Sequence, residues 1–102
     1  MTKILLSSNP CDAGLIAIKN INHGTTLLYS KNESIDGRKN LVVRLSEDNG
    51  TSWPFSRTMD KGEVWYSDMA ALSKDKILLL YETGNDSPVF CTAFDLSWVK
   101  GE

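Results

Sequence analysis

Few residues of the chain have the type and spacing for chemistry, and the densest group is "LSEDNGTSWPF", residues 45 to 55. It sets Ser46, Asp48, Gly50 and Trp53 around an Asn-Gly turn between two strand-like stretches. In one reading, the Asp carboxylate accepts hydrogen bonds from the amides of its own tight turn. Gly50 then adopts a φ that a Cβ would forbid, and Trp53 covers the turn with apolar surface. In the other, "DNGTS" opens a calcium loop, but it lacks the further acidic ligands and closing Glu that such a loop needs. The turn therefore reads as scaffold. Other metal ligation has almost no material: Cys11 and Cys91 lie far apart without CxxC spacing, and the single His23 sits in the turn-like "NHGT". Both cysteines read as buried thiols. No metal or cofactor is expected.

The elements that must position such residues are strands. The dominant period is two, in "GLIAIKN" (14–20), "TTLLYSK" (25–31), "NLVVRLS" (40–46), "SWPFSRT" (52–58), "YSDMAAL" (66–72), "KILLLYE" (76–82) and "VFCTAFDL" (89–96). Between them run "NINHG", "NESIDGRK", "EDNG", "MDKGEV", "SKDK" and "TGNDSP", rich in residues that reverse a chain. No stretch predicts a helix. The class is all-β, with antiparallel hairpins in series, and periodicity alone is compatible with a barrel, a sandwich or propeller blades. At 102 residues, 41% hydrophobic and net charge −2, the chain has the composition of one soluble globular unit. Its 13 acidic and 11 basic residues form no basic stripe, so no nucleic-acid partner is expected. No membrane contact is expected either, since "ILLLY" is far too short to span a bilayer and the N-terminus has too short an apolar run for a secretory signal.

Ser46, Asp48, Gly50 and Trp53 fit S-x-D-x-G-x-x-W, which resembles the Asp-box (BNR repeat), a β-hairpin motif of sialidase propeller blades. More of the chain carries the likeness. "GRKNLVVRLSEDNGTSWPF" followed by "VWYSDMAALSKDKILLLYETG" resembles the C-terminal part of the exo-α-sialidase (neuraminidase) catalytic domain. There an Arg precedes the Asp-box strand, a Tyr opens a "YSDL"-like strand and a "LLYE" strand follows. The upstream "NPCDAGLIAI" and "TTLLYSKNES" are similar to the preceding strands. The resemblance implies an incomplete β-propeller of about two blades, one over about 14–58 and the next over about 66–96. It implies hydrolysis of terminal α-linked sialic acids from glycoconjugates, in a secreted or periplasmic setting.

Carried over by position, the resemblance makes Arg38 the third arginine of the triad that binds the sialic acid carboxylate. A planar guanidinium fork suits that contact. Without the resemblance, Arg38 would read as a solvated charge beside Asp36 and Lys39. Tyr66 becomes the nucleophile and Glu82 the carboxylate that orients another triad arginine. If "SKDK" is a turn, Tyr66 and Glu82 fall near the same end of one hairpin. Tyr81 and Asp68 read as structural, and Arg44 and Arg57 as surface charges.

The family's acid/base Asp, the Glu that serves the Tyr as base, and two further arginines lie upstream of the region resembled. The chain is therefore expected to be an inactive segment alone, completed by the missing N-terminal part of the propeller or by self-association. A two-blade piece would leave blade faces and edges uncovered. Two alternatives stand beside this reading: a non-catalytic Asp-box module that binds carbohydrate or protein, and a structural unit of which three copies imitate a closed ring.

Overall fold

Alternating apolar residues and turn punctuation give strands in the places where the sequence predicts them. The computed structural model describes residues 13–20, 24–34, 37–83 and 89–102; Cys11, His23 and Asp36 lie outside these. Seven strands follow in order: β1 (Gly14–Asn20), β2 (Gly24–Asn32), β3 (Lys39–Ser46), β4 (Phe55–Glu63), β5 (Ser67–Ala71), β6 (Lys76–Glu82) and β7 (Val89–Asp95). They form two antiparallel meanders, β1-β2-β3-β4 and β5-β6-β7.

Register decides which side chains enter the core. Leu28 of β2 pairs with Leu45 of β3, and Ile16 of β1 pairs with Leu28, so these side chains share the inner face of the first sheet. The second sheet supplies Met69, Ile77, Leu79 and Phe94, and one apolar cluster spans both sheets together with Leu41, Val43 and Val64. Its members are almost fully withdrawn from water. Burial of each such side chain favours the fold by about 1.5–3 kcal/mol before chain entropy is set against it.

Two elements differ from the sequence reading. β4 begins after Pro54, which has no N–H to give a ladder, and continues through "TMDKGE" to Glu63. Asp60 and Gly62 mark bulges in that strand instead of a turn: the ladder slips between Lys39 and Val42, and the Gly62 amide donates to Asp60 Oδ1 at 2.8 Å. The chain also ends in a short helix, α1 (Leu96–Lys100), where no helix was expected. It is too short to show a 3.6-residue period. It is held by Val99 in the core, by Gly101 at φ 81 with its amide on the Trp98 carbonyl, and by a 2.6 Å ion pair from Lys100 to Glu47.

The sheets approach closely at Gly14. A Cβ there would lie 2.7 Å from Ser30 Oγ and 3.1 Å from Asp68 Cα, so the absence of a side chain lets β1 meet β5. Ser30 and Ser67 share a hydrogen bond of 2.9 Å between their hydroxyls at the same junction. Replacing Gly14 by Val must push the sheets apart or displace Ser30. Urea unfolding of Gly14→Val should show a loss of about 1–3 kcal/mol relative to wild type, and an unchanged midpoint would show that the junction yields freely.

Candidate active site

One short crossing segment, Val64-Trp65-Tyr66, carries the chain from β4 of the first sheet to β5 of the second. Its backbone groups cannot join either ladder in the regular way, so each needs another partner. The Val64 amide donates to the Arg38 carbonyl at 2.8 Å, and the Val64 carbonyl accepts from Asn32 Nδ2 at 2.7 Å. The Trp65 amide donates to the Glu82 carbonyl at 2.8 Å, and the Glu82 amide donates to the Tyr66 carbonyl at 3.0 Å. All three residues singled out from the sequence are therefore attached to one segment.

The side chains divide between two hollows: Arg38 and Trp65 line one with Lys61 and Glu63, and Tyr66 and Glu82 line another. The Arg38 guanidinium carbon lies 4.3 Å from the centroid of the Trp65 ring and 5.8 Å from that of Tyr66. Tyr66 is 43% exposed, which leaves its phenol open to a ligand. Tyr66 and Glu82 line one cleft with Asp68, Leu80 and Val89. Its volume of about 270 Å³ falls below the roughly 300–1,000 Å³ of a complete small-molecule site, so it forms part of a wall. A larger hollow of about 450 Å³, lined by Lys74, Asp75 and Lys100, opens at the other end of the β5-β6 hairpin. The length of β6 puts it about 20 Å from this chemistry.

Several other polar residues that the sequence offers are already engaged. Tyr81 donates its hydroxyl to Asp60 Oδ2 at 3.2 Å and packs on Phe90; burial, then the Asp60 contact, raise its pKa. Asp68 accepts the amide of Met69. Arg44 is not a free surface charge: its Nε and Nη2 reach the two carboxylate oxygens of Glu33 at 2.6 and 2.7 Å, and that hydrogen bonding holds its pKa up. Arg57 lies over Trp98 and donates to the Trp98 carbonyl. Cys91 is exposed, because its place on β7 faces away from the core.

At the opposite end of β3 the Ser46–Trp53 turn closes on itself. Ser46 Oγ donates to Asp48 Oδ1 at 2.8 Å and accepts the Gly50 amide at 2.9 Å, while the Ser52 amide donates to Asp48 Oδ1 at 2.8 Å. Asn49 and Gly50 take φ of 60 and 87. Trp53 packs edge-on against the buried Tyr29, with centroids 6.2 Å apart. Bonds from the Ser52 hydroxyl and amide and from Ser46 pull the Asp48 pKa down to about 2. Among the described residues no group of three or more His, Cys, Asp or Glu side chains could hold a metal ion.

No family model matches the chain. A sialidase of Micromonospora viridifaciens is 35% identical over 75 residues, covering 74% of this chain and 11% of that protein. A sialidase of Bacteroides fragilis is 31% identical over 84 residues, covering 76% of this chain and 15% of that protein. The solved structure of Hadza microbial sialidase Hz136 superposes with a TM-score of 0.75 at 31% identity, over 87% of this chain and 18% of that one. The chain belongs to the sialidase family. It spans well under a fifth of the length of the curated relatives it matches. Its two unclosed sheets are about two blades of an incomplete sialidase-type propeller.

Two residues of this sialidase segment escaped the sequence reading. Asn32 sits in what reads as the start of a turn, yet it ends β2 and is buried; the signal is its place in the alternating series Leu28, Ser30, Asn32 on the inward-facing register. Trp65, beside Tyr66, has no role in the sequence reading, although an aromatic pair at a strand entry invites a stacking partner.

The Asp48 carboxylate gives a signed pH dependence. Its folded pKa lies below the ordinary 3.8, so its contribution to stability is full above that value and is lost as pH falls through about 2. The difference in urea midpoint between wild type and Asp48→Asn should be widest near about pH 6 and shrink toward about pH 2. A difference that stays constant across that range would show that the carboxylate does not hold the turn.

Proposed function

We propose that the chain is part of an exo-α-sialidase catalytic propeller that removes terminal α-linked sialic acids from glycoconjugates. In this reading 14–58 and 66–96 are successive blades and Ser46, Asp48, Gly50 and Trp53 form an Asp-box. The observation that carries the reading is the meeting of Arg38, Tyr66 and Glu82 on the Val64–Tyr66 crossing. Chain positions far apart in sequence converge there, and a module that only binds has no need of that set.

Arg38 takes the sialic acid carboxylate in its planar fork. Tyr66 Oη attacks the anomeric carbon as the bond to the leaving oxygen breaks. The phenolic proton goes to a carboxylate base, and the leaving oxygen gains a proton from an acid, both supplied by other blades of the propeller. Water then cleaves the sialyl–tyrosine bond. A phenol suits this substrate because the anomeric carbon already bears a carboxylate, and an approaching Asp or Glu would meet like charge at short range. Glu82, fixed beside Tyr66 through its backbone, orients and balances another arginine of the triad.

Two outcomes follow. The 102-residue chain alone, lacking the acid, the base and the other arginines of this scheme, should show no turnover of a fluorogenic sialoside. Robust hydrolysis by the homogeneous chain would contradict the division of the site between blades. In the complete propeller, a 2,3-difluoro sialic acid should leave a sialyl adduct on the peptide "VWYSDM", and mass spectrometry should find none in Tyr66→Phe. An adduct on Tyr81 instead would show that Tyr66 is not the nucleophile.

A further inference from the structure

We infer that Trp65 is a positioning residue for Arg38, holding the guanidinium by its face so that its N–H edge stays open for the substrate carboxylate. This rests on the sialidase reading of Arg38. The guanidinium carbon lies closer to the Trp65 ring, at 4.3 Å, than to the Tyr66 ring, at 5.8 Å. Indole is the strongest aromatic partner for a cation, and a planar guanidinium stacks on it with its donors directed outward in the plane. Among the described residues, no acidic side chain lies within ion-pair distance of Arg38. Stacking therefore restrains the arginine without consuming the hydrogen bonds that a carboxylate needs.

The platform is itself fixed at both ends. Its amide is bonded to the Glu82 carbonyl, its carbonyl receives Asn32 Nδ2 at 3.4 Å, and its indole Nε1 donates to Glu63 Oε1 at 2.7 Å. Glu63 stands opposite Lys39 in the β3-β4 ladder, so the strand pair that carries Arg38 also anchors the ring beneath it. Tyr66, by contrast, is held through its own carbonyl by Glu82. Loss of the indole thus removes the restraint on Arg38 while the backbone that sets Tyr66 remains.

The test has two arms. In the isolated 102-residue chain, the Arg38 side-chain Nε–H should show an upfield ring-current shift by NMR, lost in Trp65→Leu and kept in Trp65→Phe. Absence of the shift in wild type overturns the inference. In the complete propeller, Trp65→Leu should raise KM for a sialoside about tenfold with kcat within about twofold, and Trp65→Phe should recover most of the loss. A merely structural role would lower kcat as well and would not be rescued by Phe. If Arg38→Lys raises KM while Trp65→Leu does not, the inference fails alone; if neither does, the sialidase reading of Arg38 fails with it.

Discussion

The arrangement depends on how the chain leaves one sheet and enters the next. A segment between two sheets has backbone donors and acceptors that neither ladder can satisfy, and burying them unpaired costs about 1–3 kcal/mol each. Here the solution is a buried amide side chain and two strand ends. Asn32, 1% exposed, gives Nδ2 to the carbonyls of Val64 and Trp65, while Arg38 and Glu82 supply backbone partners. The residues that satisfy the crossing are those that flank the candidate site, so the same hydrogen bonds that make the fold possible bring Arg38, Tyr66 and Glu82 together.

The close approach at Gly14 and the core shared between the sheets make this crossing rigid enough to matter. Val64 is fully buried, so the segment is pinned by packing from one side and by hydrogen bonds from the other. The opposite face of the second sheet has no such cover. Leu72, Leu80 and Val89 are more than 45% exposed, and Ala70, Cys91 and Ala93 lie among them in register. A polar blade face would be expected if the sheet always stood in water. This face is mixed, with Asp68, Glu82 and the Lys76–Asp95 pair in the same register, and its apolar part is in keeping with an incomplete propeller, in which blade packs on blade.

Strand positions were legible because alternation and turn residues act locally, and all seven stretches recur as strands. The misses share a cause. Asp60 and Gly62 are turn residues by type, but pairing with β3 recruits them into bulges, and that pairing is set by residues twenty positions earlier. Asn32 has the composition of a turn and the job of a clamp, which only the crossing segment reveals. Helix α1 is stabilised by Val99, Gly101 and Glu47, contacts invisible to a periodicity argument. The candidate residues themselves were legible only through the resemblance of their spacing to sialidases; Arg38, Tyr66 and Glu82 carry no local signal.

The two arginines of this region show what separates a structural cation from an available one. Arg44 sits within β3, paired with Tyr29, where its fork meets Glu33 at 2.6 and 2.7 Å and both of its directed contacts are used. Arg38 lies just before the bulge, and Asn40, two residues on, adopts φ 67, a left-handed conformation that Asn visits more readily than other non-glycine residues. Asn40 is held there by Nδ2 donating to the Glu33 carbonyl at 3.0 Å and by its own carbonyl accepting the Glu33 amide at 2.9 Å. Glu33 thus has two tasks: its carboxylate neutralises Arg44, and its backbone holds Asn40, two residues after Arg38. The outcome is one guanidinium paired with a carboxylate inside the sheet and one lying against aromatic rings beside an exposed tyrosine.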